Sequence, residues 1–184
     1  MDARRATKAL SGVLELAGAN AIDLAEAADI ATNTMNMFRL EVEDLNRVND
    51  VLSATCANSA TNITDLYEAM KYAGSTANLF GFSIEETSAA LGVLANMGIK
   101  GTQAGTALRS MFLRLASPTA EAAKVLEKYG LEINETTMKA DGLEKTLKKL
   151  YDSGIGNSVA DSSELFGKLF GGTNVALINS YDSF

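Results

Sequence analysis

Histidine and tryptophan are absent from this sequence, and cysteine and proline each occur once. Each shortage excludes something. Without histidine there is no imidazole to act as general base, to ligate a metal or to activate a serine or cysteine. The lone Cys56 rules out a disulfide framework. It continues an apolar stripe and is expected to pack in the core, since nothing nearby would activate its thiol. A single proline suits uninterrupted helices. Hydrophobic residues make up 47% of the chain, yet no apolar run reaches the ~18 residues of a membrane-spanning helix. The first residues do not read as a signal peptide. The net charge of −7 argues against direct nucleic-acid binding, which needs a basic face. No acidic or thiol cluster has ligand spacing, so no metal and no other cofactor is expected.

What remains is helical periodicity, carried almost throughout. Leu24, Ala28, Ala31, Met35 and Phe38 step by three and four. So do Leu45, Val48, Leu52 and Cys56, and the clean run Ile63, Leu66, Met70, Ala73, Ala77 and Phe80. Ile84, Ser88, Leu91 and Leu94 follow, then Leu108, Met111, Phe112 and Leu115, then Ala122, Val125, Leu126 and Tyr129. Each stripe needs another helix to cover it. The methionines among and beside them read as core filling. The pattern predicts an all-α fold of about seven to nine helices in stacked hairpins. The division expected is a core region, 1–130, and a smaller helical C-terminal part, 131–184.

Boundary chemistry supports this. Gly81 after Phe80 is a candidate left-handed helix stop. Ser83 and Glu86 of "SIEE" form a capping box. In "SPTAEAAKVLEKYG" the expected roles are Ser117 as cap, Pro118 in the first turn and Gly130 as terminator. "LEINETTMKADG" loses the helical period and is expected to be a loop or small β-hairpin within 131–142. A basic helix, "LEKTLKKLYDS", follows, then "VADSSELFGKLFGG" as a short helix and the start of another in "TNVALINSYDSF".

The stretch "NMGIKGTQAGTALRSMF" tests for a nucleotide site. A phosphate-binding loop needs G-x-x-x-x-G-K-[ST], and the dinucleotide fingerprint needs G-x-G-x-x-G after a strand. Gly98, Gly101 and Gly105 are spaced by three and four, Thr106 stands where the lysine should, and the preceding segment reads as helix. The glycines are therefore expected to be structural, ending one helix and letting the next start near Thr102 tight against its neighbour. Glu85 and Glu86 read as first-turn acids favoured by the helix dipole rather than as a catalytic pair. Arg109 and Arg114 read as solvated helix-face charges.

A weak internal repeat also exists. Shifted by 42 positions, Ala27, Ala31, Thr34, Asn36, Phe38, Glu43, Val51 and Leu52 fall on Ala69, Ala73, Thr76, Asn78, Phe80, Glu85, Val93 and Leu94. Each copy reads as a helix ending in phenylalanine, a tight turn and a second helix with an acidic start, which suggests a stacked array.

The order and spacing from Ala77 to Arg109, "ANLFGFSIEETSAALGVLANMGIKGTQAGTALR", closely resembles the core region of phage tail tape measure proteins. Leu115 to Thr119 is similar to that family's "L-x-x-P-T". Tyr129-Gly130-Leu131 departs from the usual apolar pair around the glycine, and "LFG" recurs at Leu165 to Gly167 and Leu169 to Gly171. The resemblance implies a virion structural role without catalysis: a fragment of a long helical protein that sets the length of the tail tube and leaves it during DNA delivery. It implies residence in the tube lumen, and in the host cytoplasm during assembly. The implied partners are tail tube, assembly-chaperone and tip or baseplate proteins, with self-association through helices, and membrane contact confined to DNA delivery. Two alternatives stand beside it: a helical adaptor unrelated to phage, and a peptidoglycan-active tail domain, against which the missing histidine weighs.

Overall fold

The computed structural model describes residues 3–154, with the backbone alone for 3–6 and for Lys8. The short helices expected beyond residue 155, with both "LFG" matches, lie outside the described residues. Within them the chain forms eight α-helices and no strand: α1 Ala3–Asn20, α2 Leu24–Phe38, α3 Leu45–Asn58, α4 Ile63–Leu79, α5 Ile84–Asn96, α6 Gly101–Ala116, α7 Ala120–Lys128 and α8 Glu135–Asp152, with a 3-10 turn, Val42–Asp44, before α3. The fold is all-α, as the periodicity predicts.

Side-chain contacts define two layers. In one, α1, α3 and α5 run parallel. Asn49 Nδ2 donates to the Gly12 carbonyl at 2.7 Å, and Asn20 Nδ2 to Ser53 Oγ at 3.3 Å. Arg47 pairs with Glu85 near the start of α3 and α5, and the Ala60 N–H donates to Asn96 Oδ1 at 2.7 Å near their ends. In the other, α2, α4 and α6 run parallel. Thr64 Oγ1 donates to Glu26 at 2.9 Å and Asn33 Nδ2 to the Tyr67 hydroxyl at 2.8 Å. Gly101 lies beside Asp65, and Gly105 lies against the Ala69 backbone. Successive helices alternate between layers, so the chain stacks hairpins as a short solenoid. α8 closes this stack by packing on α5 and α6.

One apolar cluster fills the space between layers, from Leu16 on α1 to Leu150 on α8. Phe82 stands edge-on to Phe112, with ring centroids 5.0 Å apart. The stripes on α4, α5 and α6 are buried as spaced. The α2 stripe is rotated from expectation: Leu24 is 44% exposed, and Ala27, Ile30, Ala31, Thr34 and Phe38 face inward. Ala27 to Phe38 alternates steps of three, one, three and four around one face, which includes a threonine that hydropathy alone discards. Cys56 is half-buried at the edge of the core.

The two 42-residue copies form the same corner. Phe38 and Phe80 are both buried. The next residues, Arg39 and Gly81, are left-handed, with φ of 54° and 79°. The Leu40 N–H reaches the Met35 carbonyl at 2.9 Å, and the Phe82 N–H reaches Ala77 at 3.0 Å. The Glu41 N–H then donates to Asp44 at 3.1 Å, matched by Ser83 to Glu86 at 2.9 Å. Equivalent hydrogen bonds at equivalent positions make the repeat a spatial one.

Two local expectations are corrected. Residues 131–142 contain no hairpin. Asn134 caps a helix by accepting from the Thr136 and Thr137 N–H groups, and Met138 is buried, so seven residues of apparent loop are the first turns of α8. Ahead of α7, Ser117 is not the cap. The Thr119 hydroxyl accepts from Ala122 N, and Pro118 lies before the helix rather than in its first turn. The proline pushes Ser117 out of helical geometry, to φ −138° and ψ 74°, which ends α6 instead.

Candidate functional site

The residues singled out in the sequence converge on the joints of the stack. Gly81, Gly98, Gly101 and Gly130 all have positive φ, between 54° and 83°, at the ends of α4, α5 and α7 and at the start of α6. After α5, the Ile99 N–H returns to the Leu94 carbonyl at 2.9 Å; after α7, the Leu131 N–H returns to Leu126 at 2.9 Å. Gly105 is different. It has ordinary helical geometry inside α6, and a Cβ there would stand 2.1 Å from the Ala69 carbonyl oxygen. It is a contact point between two backbones. Thr106 beside it is exposed. Arg109 and Arg114 are exposed as well.

The start of α6 has one lysine and a neighbouring carboxylate beside it. Lys100 is its N-cap residue and makes no side-chain cap bond. A Cβ on Gly101 would lie 3.9 Å from Asp65 Oδ1, so a carboxylate already stands beside the first turn. A phosphate approaching this terminus meets Asp65 at close range.

The two glutamates at the start of α5 diverge. Glu85 points across to α3, where Arg47 grips it with two hydrogen bonds of 2.6 and 2.9 Å. That donation holds the Glu85 carboxyl below its usual range and raises the Arg47 guanidinium. Glu86 turns inward. Its Oε2 accepts from the Ser83 N–H at 2.9 Å and from the Ser83 hydroxyl at 3.2 Å, and the Ser83 hydroxyl accepts from the Glu86 N–H at 3.1 Å. Its Oε1 accepts from the Leu143 N–H at 2.8 Å and from Glu144 at 3.4 Å. One carboxylate therefore caps α5 and the second half of α8. The capping box is legible in the sequence; the reach across 57 residues is not. The available signal is Gly142 after Asp141, a stop inside a helical stretch.

Burial pushes the Cys56 thiol up to about 11. At neutral pH it is therefore a thiol and not a nucleophile. Among the described residues, no three of the cysteine and acidic side chains stand close enough to hold a metal, and no helix is long and apolar enough to cross a membrane. The groove between α3 and α5 is open and built mainly from small and amide side chains. It measures about 260 Å³ and is lined by Thr55, Asn58, Ser59, Gly92 and Asn96, among others. The arrangement sets how helices turn, cap one another and approach.

Comparison with known proteins places the chain beside phage tail proteins. The family model described as phage-related minor tail protein matches residues 1–171. The tape measure protein of Pneumococcus phage Dp-1 is 30% identical over 163 residues, which is 89% of this chain and 14% of the relative. The chain thus spans about a seventh of that relative's length. No solved structure matches.

Proposed function

The chain belongs to the phage-related minor tail protein family, and from that membership we propose that it serves as one segment of a tail tape measure protein whose length sets the length of the tail tube. The role in the phage tail is structural. In the proposed reading the segment occupies the tube lumen in the virion and the host cytoplasm during assembly, and it leaves the tube as DNA is delivered. Its partners are other tail proteins: the tube, the assembly chaperones and the tip or baseplate components. Copies associate through their helices, and membrane contact is limited to delivery. The segment performs no catalysis and makes no direct contact with DNA. The charge of −7 supports the last point, because phosphate contacts need lysine and arginine. In the same reading the core region is 1–130 and the smaller C-terminal part is 131–184.

The observation that carries the reading is the family match across residues 1–171 together with the similarity to a named tape measure protein. The stack adds a physical reason. Within a layer, neighbouring helices meet through small residues, such as Ala69 of α4 against Gly105 of α6. Such a stack can be drawn apart while each helix keeps its own hydrogen bonds. Mass spectrometry of purified virions tests the location. Peptides from residues 24–116 should be recovered from DNA-filled particles and depleted from particles that have released their DNA. Equal recovery from both would refute residence and exit.

A further inference from the structure

Gly142 interrupts α8 with φ 77° and ψ 176°, so the helix restarts at Leu143 with exposed backbone donors of its own. Glu86 Oε1 meets these donors. The positive φ calls for glycine, and a Cβ there would stand 2.9 Å from that same oxygen and push on it. Past the break, Leu143, Leu147 and Leu150 are fully buried, and this half-helix covers α5 and α6 at the end of the stack. The Thr146 hydroxyl donates to the Gly142 carbonyl at 2.7 Å, which closes the new first turn. The Lys149–Asp141 ion pair spans the break, but its lysine is exposed, and such pairs contribute little.

We infer that Glu86 is the latch of a detachable end cap: residues 143–152 leave the stack as a unit, hinged at Gly142, before the stack itself opens. The latch lies at the one point where the cap's unpaired N–H groups meet a carboxylate already fixed by Ser83. Glu86 is held in place by its own helix, so it offers the cap a preset acceptor. An amide in its place has one acceptor oxygen for donors on both sides, so Ser83 and Leu143 compete for it and the hold on residues 143–152 weakens, while the packing of α1 to α6 on one another is untouched. Release uncovers Leu143, Leu147 and Leu150 together with the faces of α5 and α6 beneath them.

The test is amide hydrogen exchange of the full chain, read by mass spectrometry in dilute urea. In Glu86→Gln, exchange across 143–152 should rise about tenfold or more, the size expected for losing charged hydrogen bonds, while segments 27–58 and 104–115 stay within about threefold. Gly142→Ala, which attacks the same contact from the other side, should give the same pattern. Ser83→Ala, which removes the hydroxyl and leaves Glu86 Oε1 in reach of Leu143, should speed exchange at the start of α5 without an equal rise in 143–152. A uniform rise across all segments in Glu86→Gln, an unchanged 143–152, or an equal rise there in Ser83→Ala would each overturn the latch.

Discussion

Replacing Gly105 with alanine sets two known effects against each other. Gly105 is helical, so alanine should favour α6 by about 1 kcal/mol through backbone entropy. The added Cβ would stand 2.1, 2.8 and 2.9 Å from the carbonyl oxygen, carbonyl carbon and Cα of Ala69. These are main-chain atoms inside α4 and cannot rotate away. Restoring van der Waals distance requires α4 and α6 to part by about 1 Å. That loosens the packing of Ala73, Leu108, Met111 and Phe112, all of which are buried. Overpacking of this kind costs about 1–3 kcal/mol, and more where the backbone resists, so about 3–4 is reasonable here. The net expected loss is about 2–3 kcal/mol, a fall in Tm of roughly 5–10 °C for a domain of this size. Gly18 is the internal control. It lies in α1, and a Cβ added there would meet nothing within 4 Å, so Gly18→Ala should raise stability by about 0.5–1 kcal/mol. Urea and thermal unfolding followed by circular dichroism reads both. If Gly105→Ala stabilises as Gly18→Ala does, the close approach of α4 and α6 is wrong.

Arg39 holds φ 54° where its repeat partner is Gly81; Arg39→Gly should therefore stabilise by about 0.5–1 kcal/mol, and a lower urea midpoint would contradict the shared corner. The Glu85 carboxyl titrates below its unfolded value because Arg47 donates to it. Its contribution is present above the unfolded pKa and is lost as pH falls through the folded one. The pair is nearly half exposed, so Glu85→Gln should lower stability by at most about 1 kcal/mol at pH 7 and by less in acid; a deficit that grows on acidification would refute this. With its thiol held up to about 11, Cys56 should react with a disulfide reagent at pH 8 on the order of 100-fold slower than an unperturbed cysteine. Full speed should return in urea, and fast labelling of the folded chain would show the thiol to be free of the core's edge.

Much of the fold is legible in the sequence because its signals are local. Ser83 and Glu86 satisfy each other across three positions, and the stripe from Ile63 to Phe80 needs only the helical period. The 42-residue repeat is readable for the same reason, since each copy carries its own phenylalanine and turn. What is not legible depends on distant partners. Nothing near Gly105 in the sequence says that Ala69 lies against it. Nothing near Glu86 says that Leu143 brings two N–H groups to it. Residues 131–142 mislead because their β-favouring side chains outweigh a weak helical pattern. The asparagine cap and the burial of Met138 decide in favour of helix. Thr34 on α2 is read as a repeat position and not as core, because a threonine does not count toward an apolar stripe, yet it is fully buried.

The central claim is that this segment contributes length to a tail ruler, and tail length measures it directly. In the phage that encodes the parent protein, one repeat period, residues 39–80, would be duplicated in frame, which preserves the helix–corner–helix register. Tails are then measured by electron microscopy against the parent phage. If the segment is counted in the tail as drawn-out helix, at about 1.5 Å per residue, the whole population should lengthen by about 60 Å. Tails of unchanged length on intact, infectious particles would contradict the account.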